Sequence, residues 1–171
     1  SLGPAAASLH WDRYLLAATS NDTTSIRATG TAQGQTKQDQ EILQNQSMIY
    51  NLRNTLKHDP GNARAHLRLA GKYLQLFNQL QQSSDNAMSI DQIRDATIAS
   101  QFTSAKQLHA WLQQAFGKKS DLLYRAHYHT RQALRLCPLQ GDGYLYLADL
   151  CFLEGFTQEK ISAYLEQGLK V

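Results

Sequence analysis

Cysteine is scarce, long apolar runs are absent, and neither sign of charge predominates; each lack excludes something. The 171 residues hold two cysteines, too few for a disulfide framework. Cys137 stands beside an expected turn. Cys151 falls about nine residues into the next helix, which at ~1.5 Å per residue sets the pair on the order of 14 Å apart, beyond disulfide reach. Both are expected as buried thiols acting as small hydrophobes. No stretch approaches the ~18–20 apolar residues that cross a bilayer, so no membrane span is expected in this chain. The N-terminus lacks the basic and long apolar regions of a signal peptide. Its opening Ser1-Leu-Gly-Pro4 suggests a segment of a longer polypeptide, leaving localisation open.

Seventeen Lys and Arg against fourteen Asp and Glu give a formal charge of +3. Nucleic-acid interfaces concentrate cations on a face or stripe, whereas here they are scattered singly along the chain. Only Lys118-Lys119 are adjacent, after an expected helix end, where cations offset the helix dipole. Nucleic acid is therefore not an expected partner.

Catalytic constellations are also missing. Gly141-Asp142-Gly143 follows a proline and opens a helix, but it lacks the further Gly and Lys-Ser/Thr of a phosphate loop. No Gly-x-Ser-x-Gly elbow occurs. His127 and His129 are two apart and point to different sides of a helix. His58 and His66 flank the Pro60 turn without a Cys, Asp or Glu set at zinc spacing, and all four are expected at the surface or in turns. The chain is thus expected not to be an enzyme, with no catalytic residue, metal or cofactor assigned.

What is present is helical periodicity. The chain is 42% hydrophobic and 18% charged, enough for one domain with a core. Residues 8–18 predict a short helix with Trp11, Tyr14, Leu15 and Ala18 on one face. A polar stretch to about Lys37 reads as a linker or arm. From 38 onward a helical domain begins, with Ile42, Ile49, Leu52 and Leu56 on one stripe, stopped by Asp59-Pro60-Gly61-Asn62. The next helix starts at Ala63 and carries Leu67, Ala70, Tyr73, Leu74, Phe77 and Leu80. Ser89 with Gln92, and Ser104 with Gln107, have capping-box spacing. They predict a helix or helix pair over about 90–116, with Ile90, Ile93, Ala105, Leu108, Leu112 and Ala115 inward. Further helices are predicted near 120–136, 142–154 and 157–170, the last capped by Thr157. No strand pattern appears.

Two segments align without a gap when Pro60 and Pro138 are superposed. Each continues through turn residues and a ring-bearing residue (His66, Tyr144) to Leu (Leu69, Leu147), Ala (Ala70, Ala148) and a mid-sized core residue (Tyr73, Cys151). The small Ala permits close packing of a paired helix, and Leu with the last residue fills the space between pairs. One pair alone cannot bury its apolar face, so such pairs stack.

This pattern resembles tetratricopeptide repeats, over roughly 42–80 and 120–171. Leu56-Lys57-His58-Asp59-Pro60 and Ala133-Leu-Arg-Leu-Cys137-Pro138 look like the family's second-helix endings, and Tyr164–Val171 looks like a third. The resemblance implies an all-α array of antiparallel helix pairs. The prolines are 78 residues apart, whereas two regular repeats need about 68. Residues 88–118 are therefore either a degenerate middle repeat or a helical insertion, and the missing Pro-turn-Leu-Ala signature favours insertion. In this family first helices line a groove, which implies a site for a partner protein or peptide at Arg64, Leu67, Arg68, Gly71, Asp142, Leu145, Asp149 and Phe152. Arg64 and Arg68, one turn apart, suit an acidic group. The soluble segment also resembles tetratricopeptide tails of bacterial membrane proteins of the O-antigen ligase or polymerase kind. That resemblance implies an alternative role in assembly or homo-oligomerisation, through apolar side chains left over at 156–171.

Overall fold

The computed structural model describes residues 31–82, 84–155 and 158–171. The helix expected over 8–18 and the cap expected at Thr157 lie outside them. Among the described residues the protein is all-α, without strands, and no helix is long and apolar enough to cross a membrane. In chain order the helices are α1 (Thr31–His58), α2 (Ala63–Gln81), α3 (Ile90–Ser100), α4 (Ala105–Phe116), α5 (Ser120–Leu136), α6 (Gly141–Leu150) and α7 (Gln158–Lys170). Single 3-10 turns at Gly117–Lys119 and Cys151–Glu154 lead into α5 and out of α6.

Helix α1 begins at Thr31, inside the stretch read from sequence as a polar arm. Once a packed segment has nucleated a helix, each added residue fixes one more backbone bond, so polar composition does not stop it. Further along, Met48, Ile49 and Leu52 are buried as the stripe requires, but so are Asn45 and Thr55. Asn45 Nδ2 donates to Gln79 Oε1 at 3.0 Å and to the Lys72 carbonyl at 3.3 Å on α2. The Thr55 hydroxyl donates to the Asn51 carbonyl at 3.1 Å. The Asn45 amide nitrogen and the Thr55 hydroxyl thus have partners, as buried donors require, while Asn45 Oδ1 has none among the described residues. Gln38 reaches Gln79 and Gln82, so α1 and α2 run antiparallel. Asn62 caps α2 by accepting from the Ala65 amide at 2.9 Å.

The most extensive packing in the protein joins α2 to α5, helices distant in sequence. His66 meets His129 and the Lys119 ammonium meets the Leu80 carbonyl, which makes this pair antiparallel too. Residues 82–119 leave the pair and return to the same end of it. Gln81 fastens the exit, its side chain donating to the Met88 carbonyl at 3.0 Å and accepting from the Met88 amide at 3.1 Å. Lys119 fastens the return, donating to the Leu80 carbonyl at 3.0 Å and to Ser84 Oγ at 2.8 Å. The segment thus joins α2 to α5 as a helical excursion from one end of the pair, and is called the insertion for that position alone.

Within it, Ser89 and Gln92 form the full reciprocal capping box. The second expected box is half made. Ser104 accepts from the Gln107 amide, but the Gln107 side chain turns to Thr103. Ile93, Leu108 and Leu112 are buried as expected, whereas Ala105 and Ala115 are exposed and Phe116 fills the core. Phe116 meets Phe77 edge-on with centroids 5.6 Å apart.

After α5 the chain turns at Pro138, and α6 packs against α5 and α7. Gly143 permits the α5–α6 approach: a Cβ there would lie 2.8 Å from Leu134 Cδ2. The equivalent residues of the two superposed segments share one environment, since Leu69, Ala70, Tyr73, Leu147, Ala148 and Cys151 are all buried. Cys137 is half-buried, and both cysteines are free thiols.

Two stability predictions follow from the packing. Phe77, wholly buried, is expected to lose about 3–5 kcal/mol as Phe77→Ala, measured by urea unfolding. Gly143→Ala is expected to destabilise by about 1–3 kcal/mol through overpacking against Leu134, although alanine is the better helix former.

Candidate functional site

Gly71 of α2 lies against Tyr146 of α6, where a Cβ on the glycine would be 2.8 Å from the phenol oxygen. That side-chain contact links the two helices of the expected groove. On α2, Arg64 and Arg68 are exposed, one turn apart, with Leu67 and Gly71 half-buried. On α6, Asp142 is exposed, and Leu145 is 48% exposed although large and apolar. Tyr146 packs against the core at this junction, the inter-helix packing expected of the aromatic residues in this hairpin.

The far end of the site is closed. Helix α3 packs on α6 and on the 3-10 turn that follows it. Arg94 of α3 pairs with Asp149 at 3.6 Å, and with Asp91 and Asp95 of its own helix at 3.2 and 3.5 Å. Burial raises the Asp149 pKa, the nearby Asp91 adds to this, and Arg94 opposes it. Asp149 is thus engaged by the insertion.

Phe152, expected in the groove, is 0% exposed and belongs to the core with Ile93, Leu112 and Leu150. The α-helix ends at Leu150 and continues only as a 3-10 turn, so the spacing of seven from Leu145 no longer keeps both residues on one face. The assignment of Phe152 as a partner contact is therefore corrected. The stripe still open to solvent is Arg64, Leu67, Arg68, Asp142 and Leu145.

Two clusters escaped the sequence reading. The first is His66 with His129, whose Nδ1 atoms are 2.8 Å apart. His66 Nε2 lies 3.1 Å from the Pro60 carbonyl, so it carries a proton and donates there. In a neutral His66, Nδ1 is then the acceptor and His129 Nδ1–H the donor. His129 also stacks on Tyr73 with centroids 5.8 Å apart. Burial lowers the His129 pKa to about 4, helped by His66, Arg125 and Arg53. Burial likewise lowers that of His66, opposed by its bond to Pro60 and aided by Arg135. The expectation of surface histidines fails here: His66 is only 6% exposed. Helical spacing could place His129 on the inner face of α5, but nothing in sequence identified its partner across the insertion.

The second cluster centres on Glu154 in the turn after α6. Its Oε1 accepts from His127 Nε2 at 2.7 Å and from the Arg131 guanidinium at 2.6 Å, and its Oε2 accepts from the Tyr164 hydroxyl at 2.7 Å. Burial pushes the carboxyl up, but its three donors outweigh that and hold its pKa below the usual value. Burial and Glu154 push Tyr164 up to about 12. The carboxylate is therefore a tie between α5, the turn and α7. Nearby Cys151 is 0% exposed, and burial raises its thiol to about 11, so it stays protonated at neutral pH.

Among the described residues, no group of three or more His, Cys, Asp or Glu is placed to hold a metal. An open cleft of about 340 Å³ lies where the insertion leaves and rejoins, beside Gln81, Asp85, Phe116 and Lys119. Its one cation, Lys119, is already bonded to Leu80 and Ser84. Comparison with family models, curated proteins and solved structures finds no match.

The histidine pair generates a pH prediction. Both folded-state values lie below the ordinary imidazole value of 6.5, so the unfolded chain binds protons first. Stability is full above about pH 6.5 and falls as pH drops toward about 4. Glu154 is displaced in the same direction, so it too favours folding at higher pH, but its contribution is lost only below the ordinary carboxylate value of 4.5. Thermal melts between pH 7.5 and 5 are expected to show a falling Tm, with a shallower slope in His129→Gln.

Proposed function

We propose that the chain is a tetratricopeptide-like interaction scaffold that binds a segment of a partner protein along α2 and α6. The observation carrying this reading is that α2 and α6 bury the equivalent positions of the two superposed segments, with the Tyr146 hydroxyl of α6 seated against Gly71 of α2. Along their open stripe, half-exposed Leu145 offers apolar contact, Arg64 and Arg68 offer guanidinium forks, and Asp142 gives the opposite charge across the floor. A bound segment carrying an apolar anchor with an acidic residue toward α2 fits that arrangement.

The insertion shortens the site. Arg94 and Asp149 close it at the end of α6, so the segment accommodated is shorter than a groove reaching Phe152 would hold. A second reading is self-association. It is favoured by Leu165 and Leu169, four residues apart on α7 and 41% and 89% exposed. Self-association of this kind would suit an assembly role like that of the tails of glycan-handling membrane proteins.

Panning a displayed peptide library against the protein tests the first reading. Selected peptides are expected to lose about tenfold in affinity, ~1.4 kcal/mol, in Leu145→Glu or Arg68→Glu, while Leu169→Ser leaves binding unchanged. Equal binding by Leu145→Glu and Arg68→Glu would remove the groove. Light scattering tests the second reading, where a dimer that becomes monomeric in Leu169→Ser would favour self-association.

A further inference from the structure

The cations that are scattered along the sequence are gathered by the fold. Arg53 and Lys57 lie one turn apart on α1, and Arg125 and Arg135 lie on one stripe of α5 with Tyr128 between them. Helices α1 and α5 both pack on α2. Arg53 of α1 and Arg125 of α5 both act electrostatically on His129. Arg135 acts in the same way on His66. All four cations are exposed, and among the described residues none has a carboxylate within ion-pair distance. Among the described residues Arg135 donates to the neutral Gln132 side chain, at 2.7 Å. By contrast, Arg131, also on α5, is paired with Glu154.

Two tyrosines flank this face, Tyr50 at 65% exposure and Tyr128 at 56%. Tyr128 is held edge-on against His129 with centroids 5.1 Å apart. Like charges gathered without a counter-charge repel one another, and an anionic partner relieves that repulsion. Arginine forks match carboxylates in bidentate geometry, and exposed tyrosines add rigid contact area at low entropy cost.

We propose that the α1–α5 face, formed by Arg53, Lys57, Arg125 and Arg135 with Tyr50 and Tyr128, is a second docking surface that takes an acidic segment of a partner protein. A peptide suits it better than nucleic acid, since strong phosphate-backbone binding uses about 6–10 contacts and this face supplies four cations. The surface is distinct from the α2–α6 stripe and does not depend on it.

The test is fluorescence anisotropy of a labelled deca-glutamate peptide on the full chain at low salt, with oligothymidylate and phosphatidylserine vesicles as competing probes. Binding of the peptide is expected, weakening with added salt. The double variant Arg53→Glu/Arg125→Glu is expected to weaken it by about tenfold or more, and the equally charge-changing Lys106→Glu/Lys118→Glu, away from both proposed sites, by less than about twofold. Circular dichroism checks that each variant folds, and Lys57→Glu/Arg135→Glu gives a second pair for the same face. An NMR titration of His129 supplies a local readout, because losing two neighbouring cations moves its midpoint upward. The proposal is overturned by absence of peptide binding, by equal affinity in both face variants, or by tighter binding of oligothymidylate or vesicles than of the peptide.

Discussion

The pairing of α2 with α5 is the constraint on which the rest of the structure depends. It is the most extensive packing in the protein, and it joins residues separated by the whole of 82–119. Leu69, Phe77, Leu123 and Ala126 are buried in the common core, while His66 and His129 meet at the opposite end from Gln81 and Lys119. Closing a long loop costs only slowly more than closing a short one, so an insertion of this length is tolerated once its ends are fastened. The Gln81–Met88 and Lys119–Leu80 bonds do that.

From that pairing the two faces acquire different character. The insertion packs against α6 and the turn after it, burying Phe152 and engaging Asp149 through Arg94. It therefore decides how much of the α2–α6 stripe remains open. On the other side, α1 and α5 both pack on α2, and their arginines act on two histidines whose pKa values burial lowers. A cationic surface above neutral imidazoles avoids the repulsion that protonated ones would add. The Glu154 tie then joins α5 to α7 through His127, Arg131 and Tyr164.

Much of the fold was legible in sequence because the signals were local. Asp59-Pro60, Cys137-Pro138 and the Ser89–Gln92 spacing each act within one turn, and helix ends fall beside them. Superposing Pro60 on Pro138 also identified positions that are buried in both segments. The site was legible only in part. Arg64, Arg68, Asp142 and Leu145 follow helical spacing and are exposed. Phe152 was misplaced because a 3-10 turn changes the angular period, and sequence spacing assumes an unbroken α-helix. The His66–His129 contact and the cation cluster could not be read, since each depends on which helices become neighbours across the insertion.

The most direct test of this account is NMR coupling across the hydrogen bond between the two imidazoles. With both rings labelled with nitrogen-15 at neutral pH, the account predicts a through-bond correlation between His129 Nδ1 and His66 Nδ1, held 2.8 Å apart. It also predicts His66 as the Nε2–H tautomer, facing the Pro60 carbonyl. Absence of the correlation, with both rings titrating as free imidazoles near 6.5, would contradict the α2–α5 pairing and the insertion built on it.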